Sequence, residues 1–174
     1  MYPSRPGLLI GFHGCEKSVR DSIVSGASML KASENGYDWL GGGFYFWENN
    51  YERALEFARN PPGRKKYKTP SVLGAIIDLG NCLDLLDTRY LLLVKGSTDK
   101  LLRELDCAVI ENLHIMQRQT QFEPFDSVRG VFVEGDELYP GAGFHDKNHI
   151  QICIRNPNCI KGFFIPRDEM QWKG

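Results

Sequence analysis

The 174-residue sequence lacks the features that mark several large classes of protein. Its five cysteines form no CxxC pair, and their odd number and irregular spacing argue against a disulfide framework. No apolar run approaches the roughly 18 residues of a membrane span, and no secretory-type apolar segment follows the first six residues. We therefore expect a cytoplasmic protein that makes no membrane contact and whose cysteines are mostly small buried residues.

An excess of charge of one sign is also missing, because 21 Lys and Arg residues face 22 Asp and Glu residues, for a net charge of −1. A general nucleic-acid coat would show a basic excess, and a disordered chain would combine high net charge with low hydrophobicity. With 42% hydrophobic residues, no internal repeat and no low-complexity linker, the sequence predicts one folded domain over residues 1–174.

Metal-ligand motifs are sparse. His145 and His149 are four residues apart, but neither an HExxH motif nor a Cys/His quartet accompanies them. The sequence therefore predicts no metal site. We interpret His114 and His145 as residues at the surface or behind the direct contacts of a site.

Short apolar runs predict strands, and apolar residues at helical spacing among charges predict helices. The predicted strands cover residues 7–12, 44–47, 71–79, 128–133, 150–155 and 160–165. The predicted helices cover residues 15–25, 50–59 after a cap at Asn49 or Asn50, 84–95, and 97–113 with Ser97 as a cap. Because strands do not alternate regularly with long helices, we expect an α+β domain rather than a doubly wound parallel sheet, with two packed sheets and helices at one side.

The first segment with candidate chemistry is Gly11–Cys15, where a histidine at a strand end is followed by glycine. There the His13 imidazole can donate a hydrogen bond to a ligand, and Gly14 lets backbone groups approach that ligand closely. The alternative is a satisfied core histidine.

The second segment is Tyr37–Glu48, which holds three consecutive glycines followed by an aromatic strand. Glycines remove bulk where a flat ligand must lie against backbone, and Tyr45 offers a ring face and a hydroxyl. The alternative is a core strand after a tight glycine turn.

The third segment is the late strand from His149 to Arg155. Alternation puts His149, Gln151, Cys153 and Arg155 on one face of that strand, opposite three isoleucines. A buried amide needs partners, so Gln151 is either a structural hydrogen-bond hub or a ligand contact.

Together, the three segments resemble the ADP-ribosyltransferase superfamily, in its PARP-like and diphtheria-toxin-like branch, over residues 7–165. Phe12–Cys15 is similar to its x-His-Gly-(Ser/Thr) motif, with Cys at the last position, and Gly41–Phe46 is similar to Gly-x-Gly-(Ile/Phe)-Tyr-Phe. Gln151 stands where the family often has Glu, on the late strand. The resemblance implies a split β-sandwich of two packed sheets with flanking helices.

The resemblance also implies a site for NAD, as co-substrate, between the two sheets. His13 would bond the adenosine ribose, and Gly14 backbone groups would grip the nicotinamide carboxamide. Tyr45 would stack on the nicotinamide ring, with Phe57 closing the other side. Gly43, in the glycine run, would leave room for the ligand.

Gln151 is the main departure from the family pattern. As catalytic residues the resemblance names His13, Tyr45 and Gln151, but an amide keeps only the hydrogen bond to the ribose 2′-hydroxyl and cannot be a general base. We therefore expect a mono-ADP-ribosyltransferase rather than a polymerising enzyme. The alternative is a weak or inactive domain that binds NAD or ADP-ribose. The acidic stretch Glu134–Glu137 is either a contributing carboxylate or a surface turn.

The acceptor of ADP-ribose would be a protein or a nucleic acid. The basic loop Arg64–Lys68 is either an acceptor contact or a solvated loop. Small single-domain relatives often act as intracellular toxins in toxin–antitoxin or phage-defence systems, so the resemblance also implies an antitoxin partner. A different class, a cysteine-nucleophile enzyme using Cys15 beside His13, lacks an evident partner His or Asn.

Overall fold

The computed structural model describes residues 7–35, 38–63, 66–98, 106–119 and 123–170. Its strands are β1 (Leu9–Glu16), β2 (Phe44–Glu48), β3 (Pro70–Ile77), β4 (Cys82–Asp84), β5 (Ser127–Phe132), β6 (His149–Ile154) and β7 (Ile160–Phe164). Its helices are α1 (Lys17–Val24), α2 (Tyr51–Arg59), α3 (Thr88–Thr98) and α4 (Asp106–Gln119), with 3-10 turns at Pro157–Cys159 and Arg167–Glu169. The predicted α+β class is confirmed.

The seven strands form one mixed sheet in the order β4-β5-β6-β2-β1-β3-β7. Every neighbouring pair is antiparallel except β4 and β5, which run parallel. The expectation of two separate packed sheets is therefore wrong for this structure, since hydrogen bonds connect all seven strands.

The sheet is weakly joined at its centre. Strand β1 pairs with β3 along its whole length, but it pairs with β2 only at Gly11↔Glu48 and Phe12↔Trp47. We call this short ladder the β1–β2 seam. It divides the sheet into a half formed by β4, β5, β6 and β2 and a half formed by β1, β3 and β7.

The segment from Phe44 to Arg59 folds as predicted. The Asn50 side chain accepts a hydrogen bond from the backbone N–H of Arg53 at 3.1 Å, which caps α2. Strand β1 continues beyond the predicted end at Phe12, because β3 pairs with it as far as Glu16. Helix α1 consequently begins at Lys17 rather than at residue 15.

The predicted helices over residues 84–95 and 97–113 have the wrong boundaries. Cys82–Asp84 forms a strand, because it pairs with β5, which lies 45 residues further along the chain. Ser97 lies inside α3 instead of capping the next helix, and α4 runs from Asp106 to Gln119. Residues 99–105 lie outside the described part of the chain.

Helices cover both faces of the sheet. On one face, α4 packs through Ile110 and Leu113 near Cys153 of β6, and α2 packs through Ala54 against Trp47 of β2. On the opposite face lie Phe46, Ile77, Ile152 and Ile154, while α1 packs through Ile23 against Leu73. Since side chains alternate along a strand, Tyr45 and Trp47 share the face of α2 and α4.

A buried ion pair ties α1 to the last described turn. Arg20 is 3% exposed and pairs with Glu169, whose carboxylate also accepts from the Ser71 hydroxyl and from the backbone N–H of Val72. These bonds connect the turn at Arg167–Glu169 to β3. None of the helices in the described ranges is long and apolar enough to cross a membrane.

Candidate functional site

The predicted site residues lie on three neighbouring central strands. Gln151 is on β6, Tyr45 on β2 and His13 on β1, in that order across the sheet. Gln151 lies opposite Trp47 in the register, so Gln151 and Tyr45 share a face. The His13 ring lies on the other side, with its centroid 6.0 Å from that of Phe46.

The His13 side chain marks the end of the β1–β2 seam. Its Nδ1 atom lies 2.9 Å from the Tyr45 carbonyl oxygen, and since a carbonyl only accepts, Nδ1 carries the hydrogen. In a continued antiparallel ladder, Gly14 would stand opposite Tyr45 and its N–H would approach that same oxygen. The imidazole N–H therefore binds the Tyr45 carbonyl oxygen, to which the Gly14 N–H would donate if the ladder continued.

The backbone of Gly14 faces the gap that follows. The N–H of Asn49 donates to the Ile10 carbonyl at 2.9 Å, so Ile10 directs its polar groups toward β2. Because this direction repeats every second residue, Phe12 and Gly14 direct theirs the same way. Pairing stops at Phe12, so Gly14 presents an amide and a carbonyl to the space between β1 and β2.

Helix α2 also lies very close to the sheet at Gly14. A Cβ atom placed at Gly14 would lie 3.1 Å from the Ala58 nitrogen and under 3.0 Å from the Ala54 carbonyl oxygen. Both contacts are with helix backbone, which cannot swing away as a side chain can. Glycine is therefore required at this position by packing, apart from any ligand.

Two hydrogen bonds fix the Tyr45 hydroxyl. Its hydroxyl accepts from the Leu40 backbone N–H and donates to the Gly41 carbonyl, each at 2.9 Å. Burial is the main cause that raises the pKa of this phenol well above its usual value, so the hydroxyl remains protonated. Gly43 precedes it at φ +156°, where an added Cβ would lie 2.6 Å from both Cys153 Sγ and the Ile154 oxygen.

The Gln151 amide has a fixed orientation. Its Oε1 accepts from the Trp39 indole N–H at 2.7 Å. Trp39 is held by Phe132, with ring centroids 5.3 Å apart, and by Gly130, where a Cβ would lie 2.7 Å from the indole. Because an indole can only donate, the amide NH2 is the group that Gln151 can present to a ligand.

Trp39 is a site residue that the sequence reasoning did not single out. It lies 112 residues before Gln151, so no local spacing connects the two. The available signal was its place in the aromatic and glycine-rich segment around Tyr45.

Phe57 lies against Trp47 rather than directly against Tyr45. The two ring centroids are 5.0 Å apart, and Phe57 is half-buried on the side of α2 that faces β2. Trp47 is two residues from Tyr45 on β2, so Phe57 lies beside Trp47 and is displaced along the strand from Tyr45.

Charged residues surround this end of α2. Arg53 pairs with Glu56 and, at 2.5 Å, with Glu134, and Lys147 pairs with Glu56 at 2.7 Å. The hydrogen bond from Lys147 is the largest cause that lowers the pKa of the Glu56 carboxyl. Of the acidic stretch Glu134–Glu137, Glu134 is the residue that reaches α2.

A groove of about 860 Å³ opens beside the start of β2. Gly43 is the predicted site residue that lines it, together with Phe44, Glu111, Arg155 and His114. Glu111 holds Arg155 through two hydrogen bonds, of 2.6 and 3.1 Å. His114 is 2% exposed, so the interpretation as a surface residue is wrong, while a place behind the contacts of a site remains open.

Cys15 is not arranged as a nucleophile. Burial is the main cause that raises its thiol pKa to about 12, so little thiolate forms at neutral pH. All five cysteines are free, and Cys15, Cys153 and Cys159 are buried as expected. Within the described ranges, no group of three or more His, Cys, Asp or Glu side chains is placed to hold a metal ion.

The basic loop lies near the end of β1. The backbone N–H groups of Lys68 and Thr69 donate to the Glu16 carboxylate at 2.7 and 2.8 Å, and Glu16 is two residues beyond Gly14. Lys66 and Lys68 are exposed, while Arg64 and Lys65 lie outside the described residues.

Comparison of the chain with family models, curated proteins and solved structures finds no match. What the protein does must therefore be inferred from its own residues and their geometry.

Proposed function

We propose that this chain is a mono-ADP-ribosyltransferase that cleaves NAD and transfers ADP-ribose to a macromolecular acceptor. One observation supports this more than any other. The strand order β6-β2-β1 makes neighbours of the strands that carry Gln151, Tyr45 and His13, and the His13 ring bonds the Tyr45 carbonyl from the opposite face. Beside them, Gly14 directs its backbone groups into the gap between β1 and β2. In this proposal, the β1–β2 seam of the single sheet takes the place of the cleft between two sheets that the resemblance implies.

In this proposal, the nicotinamide end of NAD enters at the β1–β2 seam. A carboxamide offers one acceptor and an NH2 donor, which complement the amide and carbonyl of Gly14. Tyr45 supplies a ring face for the nicotinamide, and Phe57 closes the site from α2. His13 reaches the adenosine ribose from the same gap after its ring turns from the Tyr45 carbonyl.

The reaction breaks the bond between nicotinamide and its ribose. The electron pair of that bond leaves with nicotinamide, and positive charge develops on the ribose, as in glycoside hydrolysis. Gln151 contacts the ribose 2′-oxygen through its NH2 group and orients the sugar. Because this amide adds no negative charge, positioning and surrounding dipoles carry more of the catalysis than in relatives with Glu.

The acceptor surface lies in loops of this same domain. The loop from Glu134 to Asn148 precedes β6, and Lys66–Lys68 adjoins the end of β1. Both lie next to strands that carry site residues. We propose that the protein acts in the cytoplasm as a toxin and that an antitoxin protein inhibits it.

A second function is favoured by Gln151 itself. Its oxygen is already engaged by Trp39, and no carboxylate replaces it at that position. A domain that binds NAD or ADP-ribose without turnover would need nothing more.

The test is incubation of the purified chain with NAD labelled in the nicotinamide ring. We expect released nicotinamide, and we expect Tyr45→Ala and His13→Ala to lower the rate about 100-fold or more, as removal of a transition-state contact does. Lys161→Ala is the control, because Lys161 is exposed on the edge strand β7, away from the strands that carry the predicted site residues.

Mass spectrometry of protein and RNA after expression would identify the acceptor by its added ADP-ribose. Tight NAD binding by calorimetry, without nicotinamide release from any preparation, would support the binding domain instead. Absence of both binding and release would exclude both functions.

A further inference from the structure

Three buried polar atoms without partners in the described chain belong to side chains near the β2–β6 pair and the start of α2. They are Trp47 Nε1, Arg53 Nε and His149 Nε2, from β2, α2 and β6. Trp47 is 5% exposed and His149 is 6% exposed. Because buried polar groups in folded proteins nearly always have partners, three together indicate a group that the site is built to receive.

The contacts around Trp47 bring the three side chains together. Its ring centroid lies 6.2 Å from that of His149 and 5.0 Å from that of Phe57. Arg53 is one helical turn before Phe57 on α2 and pairs with Glu134, whose backbone N–H donates to the side chain of Asn148, the residue before His149. Side chains from three elements therefore lie close together beside the start of β6.

The His149 ring has an assigned hydrogen. Its Nδ1 lies 2.7 Å from the Lys147 carbonyl oxygen, which can only accept, so Nδ1 carries the hydrogen. In the neutral ring, Nε2 then holds a lone pair. The three unpartnered atoms are thus one acceptor, His149 Nε2, and two donors, the N–H groups of Trp47 and Arg53.

The surroundings keep this ring neutral near pH 7. Burial is the largest cause and lowers the pKa of His149 below its usual value, and the Arg53 charge lowers it further. The bond to the Lys147 carbonyl and the charge of Glu134 act in the opposite direction. Glu56, which faces the same region from α2, is paired with Arg53 and Lys147.

We propose that His149 is the base that takes the proton from the nucleophile attacking the ribose, a role that Gln151 cannot fill. This inference rests on the proposed function. His149 lies two residues before Gln151 on the same face of β6, about 7 Å along the strand. A hydroxyl group has one hydrogen to donate and two lone pairs, which match one acceptor and two donors.

The step balances without a further reactant. The nucleophile oxygen forms a bond to the ribose carbon while the bond to nicotinamide breaks. The electron pair leaves with nicotinamide, whose charged ring becomes neutral, and the proton moves to His149 Nε2. The N–H groups of Trp47 and Arg53 hold the nucleophile oxygen during attack.

The experiment measures nicotinamide release from NAD, with water as the nucleophile, between pH 5 and 9. We expect His149→Asn to bind NAD as the wild type does and to turn it over about 100-fold or more slowly. Asn keeps a donor for the Lys147 carbonyl but supplies no base. Added imidazole should restore part of the rate, which it would not do for a residue that only supports the fold. Lys161→Asn, at an exposed position on the edge strand β7, is the control and should keep the wild-type rate.

The wild-type rate should fall on the acid side with a pKa below 6.5, and His149→Asn should lose this limb. Wild-type turnover that His149→Asn retains at every pH would overturn the role of His149 and leave the transferase intact. If His149→Asn does not fold, NMR of the wild-type imidazole decides, because hydrogen on Nε2 at pH 7 would equally overturn the role. A wild-type chain that releases no nicotinamide would remove both proposals.

Discussion

Replacing Gly14 with alanine tests how closely α2 is seated on β1. The new Cβ would lie 3.1 Å from the Ala58 nitrogen and under 3.0 Å from the Ala54 oxygen, so helix or strand must shift. Overpacking of this kind costs about 1–3 kcal/mol. Loss of glycine also restricts the unfolded chain, which stabilises the folded state by about 0.4–1 kcal/mol and offsets part of that cost.

Gly162→Ala is the matched control, since Gly162 lies on β7 of the same sheet and an added Cβ would meet nothing within 4 Å. Replacing glycine with alanine restricts the unfolded chain to a similar extent in both variants. The difference between their free energies of unfolding therefore measures the cost of the contact between the Gly14→Ala methyl group and α2. We expect the free energy of unfolding of Gly14→Ala to be about 1–3 kcal/mol below that of Gly162→Ala.

The assay is urea denaturation of both variants, followed by circular dichroism, with thermal melts as a second measurement. For a chain of this length, 1 kcal/mol corresponds to about 2–4 °C in the melting temperature. Equal stabilities for the two variants would refute the close contact between α2 and β1.

Three further outcomes follow from buried groups. Glu169→Gln should lower the free energy of unfolding by about 1–3 kcal/mol, because it removes one of the two anions, Glu169 and Asp21, that pair with the buried Arg20 cation; urea denaturation measures this. Burial lowers the pKa of His114 below 6.5, so the unfolded chain binds its proton first as the pH falls. Stability should therefore decline below about pH 6.5, and His114→Asn should decline less; a steeper decline would contradict this. Cys15 and Cys153, whose thiol pKa values burial raises to about 12, should react with a thiol reagent only after denaturation, and prompt labelling of the native chain would show otherwise.

Local signals predicted the segment from Phe44 to Arg59 well. Glycines before an aromatic run set the start of β2, and Asn50 set the start of α2, so both boundaries depend on residues close in the sequence. The same kind of signal failed at β4, which is three residues long and is a strand only because β5 lies beside it. A run that short has no measurable period.

The site shows the same division. Tyr45 and Gln151 could be selected from their place in local patterns, but the partner of the Gln151 amide and the contact between Trp47 and His149 could not. Trp39 is paired with Gln151 across 112 residues, and Trp47 meets His149 across the β2–β6 pair. The alternation of side chains along β6 predicted that His149 shares a face with Gln151. The burial of His149 Nε2 without a partner could not be predicted, because it results from the packing of three elements.

The short β1–β2 seam has a consequence for how the molecule opens. Few backbone bonds hold the two halves of the sheet, so helix α2, which packs on β1, β2 and β3, and the apolar cluster of Phe46, Ile77 and Ile152 on the opposite face connect them. Native-state hydrogen exchange should then resolve two cooperative units, one containing β1, β3 and β7 and the other containing β2 and β4 to β6. The cap at Asn50 acts on both units, since fraying of this nine-residue helix removes one of the two connections between them.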